Sequence, residues 1–132
     1  NIPPHNLTEV CDAIIKYIEN PEVSIEKLAD IIKGPDFPTG GNISGNMLEI
    51  YKTGRGRITL RGKLATEEKK GRERIIITEI PYMLNKSDLV SGIAKLAQEK
   101  KLTEISDIRD ESAKGNVRIV IELRKGMNSK SL

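Results

Sequence analysis

Apolar residues recur at helical spacing from the start of the chain. In the run LTEVCDAIIKYIEN, Leu7, Val10, Cys11, Ile14, Ile15 and Ile18 fall on one helical face. Asn6 stands where an N-cap is needed, Glu9 completes a capping box, and Asn20-Pro21 ends the helix. Ser24 opens a shorter helix, SIEKLADII, with Ile25, Leu28 and Ile31 inward, and Gly34 closes it. The segment GPDFPTGGNISGN, Gly34 to Asn46, is dense in turn residues and reads as loop. MLEIYK supplies a further helical turn or two before Gly54.

The period then changes. Ile58, Leu60 and Leu64 alternate with Arg57, Thr59, Arg61 and Lys63, the pattern of a half-buried strand. EEKKGR turns the chain at Gly71 and RIIITEI returns, which predicts a hairpin of residues 57–64 with residues 74–80. Pro81 stops that strand, and Asn85 with Asp88 caps the helix KSDLVSGIAKLAQEKK, with Leu89, Ile93, Leu96 and Ala97 inward. LTEISDIR and VRIVIELR fit strands on either side of the turn ESAKGN. The second half therefore reads β-α-β-β, and the whole predicts an α+β fold, an antiparallel sheet with packed helices. The pattern divides residues 1–126 into a helical and loop part, 1–55, and a hairpin plus β-α-β-β part, 56–126, followed by a frayed tail at 127–132.

Composition narrows the possibilities. At 132 residues the chain is one ordinary domain or two small lobes. Aromatics are 3% with no Trp, so the core must be Ile, Leu and Val. The 22 Lys+Arg against 19 Asp+Glu leave a net charge of +3, most of it ordinary solvated surface. Cys11 is the only cysteine, which excludes an internal disulfide, makes a reducing compartment the default and reads as a small core residue. His5 is the only histidine, so no zinc-type cluster can be assembled. GPDFPTGG lacks the lysine of a phosphate loop, which disfavours nucleotide binding, and Asp107, Asp110 and Glu111 read as a solvated turn. No apolar run reaches membrane-spanning length, so no membrane partner is predicted. The first residue is Asn rather than Met, and a fragment of a longer protein is expected. On residues alone this is a binding or scaffold module.

Two features carry chemistry. TGRGRITLRGK places Arg55, Arg57, Arg61 and Lys63 along a loop and one outward strand face. Side chains two apart on a strand are about 6.5–7 Å apart, commensurate with phosphates along a DNA strand. The alternative is a solvated face balanced by Glu67, Glu68, Glu73 and Glu79. Scarce aromatics argue against single-strand stacking and for a duplex backbone. The second feature is NIPPHN. Ile2 is held on a stiff, extended stem by Pro3 and Pro4. A stiffly held apolar wedge can enter between base pairs and kink a duplex; alternatively Ile2 packs against the first helix.

NIPPHNLTEV, GPDFPTGG, YKTGRGRITLR, EIPYMLNKSDL and DIRDES, in that order, resemble the A-subunit family of bacterial-type DNA gyrase and topoisomerase IV. The resemblance runs from Asn1 to about Gly126, and GPDFPTGG is nearer the gyrase pattern than the proteobacterial topoisomerase IV one. It implies the tower domain of the breakage-reunion core of an ATP-dependent type IIA topoisomerase. Such an enzyme cuts both strands of one duplex through paired tyrosines, passes a second duplex through and reseals the break. The implied role here is to hold and bend the gate duplex during supercoiling or relaxation. Ile2 is then the intercalating residue, with Arg55, Arg57, Arg61 and Lys63 on phosphates. His5 and Asn6 stand near the insertion point, and Lys86 is a further contact. In the family the catalytic tyrosine lies upstream, so Tyr17, Tyr51 and Tyr82 read as structural and this stretch is expected to be inactive alone. No cofactor is expected in it. Magnesium and ATP are implied on a partner of the gyrase B type in an A2B2 enzyme, in a bacterial cytoplasm or a plastid-type organelle. The fragment is expected to be a monomer. The alternative is a structural spacer with no DNA contact of its own.

Overall fold

Side-chain caps punctuate the chain. Asn6 Oδ1 accepts the N–H of Glu9 at 3.1 Å, Ser24 Oγ that of Lys27 at 3.3 Å, Asn46 Oδ1 that of Glu49 at 3.2 Å, and Asn85 Oδ1 that of Asp88 at 3.2 Å. Each satisfies one donor that a helix leaves open at its start. They open α1 (Leu7–Glu19), α2 (Ile25–Ile31), α3 (Met47–Thr53) and α4 (Lys86–Gln98). The computed structural model describes residues 1–132, and the chain divides into two compact units, Asn1–Arg61 and Gly62–Leu132. Both combine helices with antiparallel strands, so the fold class is α+β as the pattern predicts.

The first unit holds α1, α2, β1 (Asn42–Ser44), α3 and β2 (Thr59–Arg61). β1 pairs antiparallel with β2, Ile43 opposite Leu60 and Asn42 opposite Arg61. The segment read as unbroken loop thus contains a short strand. Its three residues between glycines are too few to show alternation. The unit boundary falls after Arg61 rather than after residue 55, because β2 folds back onto β1. Burial here is sparse: only Ala13 and Pro35 are fully buried. The α1 face predicted to be core is largely exposed, with Leu7 77% and Ile18 70% accessible, and Cys11 is exposed with it. Amphipathic spacing identifies a face that gains from cover; α2, only seven residues long, covers little of it.

The second unit holds the main core. β3 (Lys63–Lys69), β4 (Arg72–Glu79), β5 (Ile105–Asp110) and β6 (Ile119–Leu123) form one antiparallel sheet in the order β3-β4-β6-β5. The predicted β-α-β-β run is β4-α4-β5-β6. Ile77, Ile80, Ile105, Ile119, Ile121 and Leu123 cluster against Leu89, Val90, Ile93 and Ala97 of α4. Removing each such side chain from water contributes about 1.5–3 kcal/mol. Leu96, predicted inward, is exposed. The predicted strand over residues 57–64 is two strands in two sheets: β2 ends at Arg61, and β3 pairs with β4. Gly62 marks the break, since a Cβ there would lie 2.5 Å from the Glu79 carbonyl oxygen. Leu64, counted inward on the single-strand reading, is exposed. A 3-10 turn, Ser129–Ser131, lies in the tail, and the Ser129 N–H donates to the Glu73 carboxylate at 2.7 Å.

The β3–β4 hairpin turns on Lys70 and Gly71, with φ of 53° and 74°. Positive φ at both central residues is the type I′ pattern, for which Asn-Gly is preferred and Lys is strained. Lys70→Asn is expected to stabilise the chain by about 0.5 kcal/mol, read as a small rise in thermal midpoint.

Candidate nucleic-acid interface

The stem beneath Ile2 is tied at successive residues. The Pro4 carbonyl accepts the Asp36 N–H at 2.9 Å, which docks the stem on the GPDF segment. His5 Nδ1–H donates to the Pro3 carbonyl at 2.8 Å, and Nε2 shares a hydrogen bond with the Tyr51 hydroxyl at 2.9 Å. The two rings stand 5.9 Å apart, and burial, with the Glu9 charge adding to it, pushes the Tyr51 phenol up. Asn6 caps α1 through Oδ1 and donates from Nδ2 to Asp36 Oδ2 at 2.9 Å. Ile2 itself is 92% accessible. It does not pack against α1, so the core reading of this residue fails. The polar groups of His5 and Asn6 are occupied in holding the stem, which makes them positioning residues. Asp36 and Tyr51 were not marked by the sequence as partners of this motif; 46 residues separate Tyr51 from His5, and no local spacing signals the contact.

The basic residues do not lie on one strand. Arg55 and Arg57 sit in the loop between α3 and β2, Arg61 ends β2, and Lys63 begins β3 in the second unit. The loop is pressed onto α3: a Cβ at Gly56 would collide with the Ile50 side chain, so only glycine fits between Arg55 and Arg57. All four cations are exposed, and none enters an ion pair. Lys63 stands opposite Glu79 in the strand register. Two of the carboxylates that could have balanced the stretch are engaged elsewhere. Glu67 pairs with Arg74 at 2.9 Å and with Arg118 at 3.6 Å, and Glu73 holds Ser129.

Other cations are committed. Arg109 bonds Asp107 at 2.9 Å, Glu122 at 3.0 Å and Glu111 at 3.4 Å, and Arg118 reaches Glu111 at 3.3 Å. The Arg109 guanidinium holds Glu122 below the usual carboxylate range. Lys86, read as a free contact, pairs with Asp110 at 3.0 Å. Ser112, through its side chain and then its N–H, together with Lys86, brings Asp110 down to about 2. Because the folded value lies below that of the unfolded chain, this stabilisation is complete above about pH 4 and is lost as pH falls toward 2. Asp110→Asn is expected to flatten the fall of the thermal midpoint across that window, measured by circular dichroism. An unchanged acid limb would remove Asp110 as its cause.

No group of three or more His, Cys, Asp and Glu side chains is placed to hold a metal ion, and no helix is long and apolar enough to cross a membrane. What the arrangement can do is offer unpaired cations to an anionic polymer and hold an aliphatic side chain into solvent on a fixed support.

The family model of the DNA gyrase/topoisomerase IV A-subunit matches residues 1–132. The chain is 55% identical over 131 residues to a probable chloroplastic/mitochondrial DNA gyrase A-subunit of Oryza sativa subsp. japonica, covering 96% of this chain. It is 52% identical over 131 residues to the DNA gyrase A-subunit of Pseudomonas aeruginosa, again over 96% of this chain. With that of Halalkalibacterium halodurans it shares 49% over 134 aligned positions and its whole length. The chain belongs to the A-subunit family of DNA gyrase and topoisomerase IV. It spans 14% to 16% of the length of these relatives.

Proposed function

We propose that this chain is the tower part of the DNA breakage-reunion subunit of an ATP-dependent type II topoisomerase, where it holds and bends the gate duplex. The observation that supports this most is the 92% accessibility of Ile2 on a stem tied at Pro3, Pro4, His5 and Asn6. A flexible aliphatic side chain in water would serve nothing, whereas a braced one can unstack a base step and be repaid by contacts along the bent duplex. Arg55, Arg57, Arg61 and Lys63 neutralise phosphates on this reading. Being unpaired, they have no carboxylate to give up on binding.

Strand cleavage belongs to another part of the parent polypeptide on this reading. Tyr51 is spent on His5, and Tyr17 lies on the exposed face of α1. Magnesium and ATP are assigned to a partner of the gyrase B type in an A2B2 assembly, in the cytoplasm of a bacterium or in a plastid-type organelle, and the chain alone is a monomer. The competing reading is a spacer without DNA contact. A salt series on an end-labelled duplex of about 30 base pairs separates the two. A binder loses affinity with a slope of about −0.9 per phosphate contact against log salt, and a spacer shows no affinity to lose.

A further inference from the structure

A second set of cations, three of them unpaired, lies in the second unit. Lys69, Lys70, Arg72, Arg74 and Arg109, with Glu111 and Glu122, line a cleft of about 420 Å³. The strand register puts Lys69 opposite Arg72 and Glu67 opposite Arg74, and Arg74 opposite Glu122 on β6. By strand alternation these side chains share one sheet face, that of Ile76 and Val120, opposite the Ile77–Ile119 face packed under α4.

The carboxylates of the cleft are already taken. Glu122 is held by Arg109 and Arg74, and Glu111 by Arg109 and Arg118. Arg74 Nε is buried without a hydrogen-bond partner. Lys69, Lys70 and Arg72 enter no ion pair at all. Their arrangement works against folding on two counts. Like charges directly across a ladder repel, and Lys70 occupies a left-handed position that suits Asn or Gly. Local rules broken without a structural gain mark functional positions.

We infer that the tip of the β3–β4 hairpin is a second phosphate-contacting surface for duplex DNA, carried by Lys69, Lys70 and Arg72. All seven side chains lining the cleft are charged. A protein partner would require a buried apolar or aromatic anchor, and a single strand would require stacking platforms; the cleft offers neither. A phosphodiester backbone requires only positive charge at fixed positions. The inference rests on the duplex-binding reading but concerns different residues.

The test uses the 132-residue chain with the changes Lys69→Gln, Lys70→Asn and Arg72→Gln combined, beside a second variant with Arg55, Arg57 and Arg61 changed to Ala. Binding to a duplex of about 30 base pairs is followed from 50 to 200 mM salt. Loss of three contacts flattens the log–log slope by about 2.7, so the unaltered chain loses about 40-fold more affinity over that range than the hairpin variant. The thermal midpoint of the hairpin variant stays level or rises, because repulsion and turn strain are relieved. A flattened slope in the hairpin variant supports the inference even if the Arg55, Arg57 and Arg61 variant behaves as the unaltered chain, in which case the principal reading of those residues fails alone. An unchanged slope, a lowered midpoint, or no duplex binding by the unaltered chain overturns it.

Discussion

Ile2→Ala is expected to abolish bending of a duplex while leaving most of the affinity. Burying an isoleucine side chain between bases gains roughly 1.5–3 kcal/mol, and separating a base step takes back a few kcal/mol. The two nearly cancel, so the wedge sets the shape of the complex more than its strength. Energy transfer between dyes at the duplex ends should return to the value of free DNA in the variant, with affinity changed by less than about tenfold. Since Ile2 is 92% accessible, its truncation should leave the thermal midpoint unchanged. Bending as strong as that of the unaltered chain would remove Ile2 as the wedge. Tyr51→Phe provides a graded control: it deletes the hydroxyl hydrogen-bonded to His5, and should weaken bending while leaving Ile2 in place.

The larger effect on affinity is expected from Arg55, Arg57, Arg61 and Lys63 together. These side chains are exposed and outside every ion pair, so replacing them with Ala should alter stability by no more than about 0.5 kcal/mol each. If each neutralises one phosphate, the salt slope should flatten by about 3.6, a difference of roughly 150-fold in the affinity lost between 50 and 200 mM. Lys86→Ala is the matched comparison, because Lys86 is already occupied by Asp110 and its loss should leave the slope nearly unaltered. Equal slopes for the quadruple variant and the unaltered chain would favour the spacer.

The helices were legible because their ends are written locally: Asn6, Ser24 and Asn85 all cap as their neighbours suggest. The hairpin turn at Gly71 was legible for the same reason. What escaped the pattern depends on partners distant in sequence. Ile58, Leu60 and Leu64 alternate as one strand would, yet Leu60 pairs with Ile43 while Leu64 pairs with Ile77. The α1 stripe shows which face seeks cover but not what is available to cover it. At the candidate site, the Ile2 stem was visible as stiffness, while its anchoring on Asp36 and Tyr51 was not. Charge pairing is the least legible property of all. Lys86 reads as free and is paired, and Lys69, Lys70 and Arg72 read as ordinary turn charge and are unpaired.

The anchoring of the stem also orders events during synthesis. Pro4 is held by Asp36 and His5 by Tyr51, so the stem is not fully seated until α3 has followed it. Contacts that close long loops form late, after the entropy of closure has been met by the elements between them. A nascent chain that stops short of Tyr51 therefore carries Ile2 on a stem tied at Asp36 but without its second anchor. Full bracing of the Ile2 stem is thus expected as one of the later steps in completing the first unit.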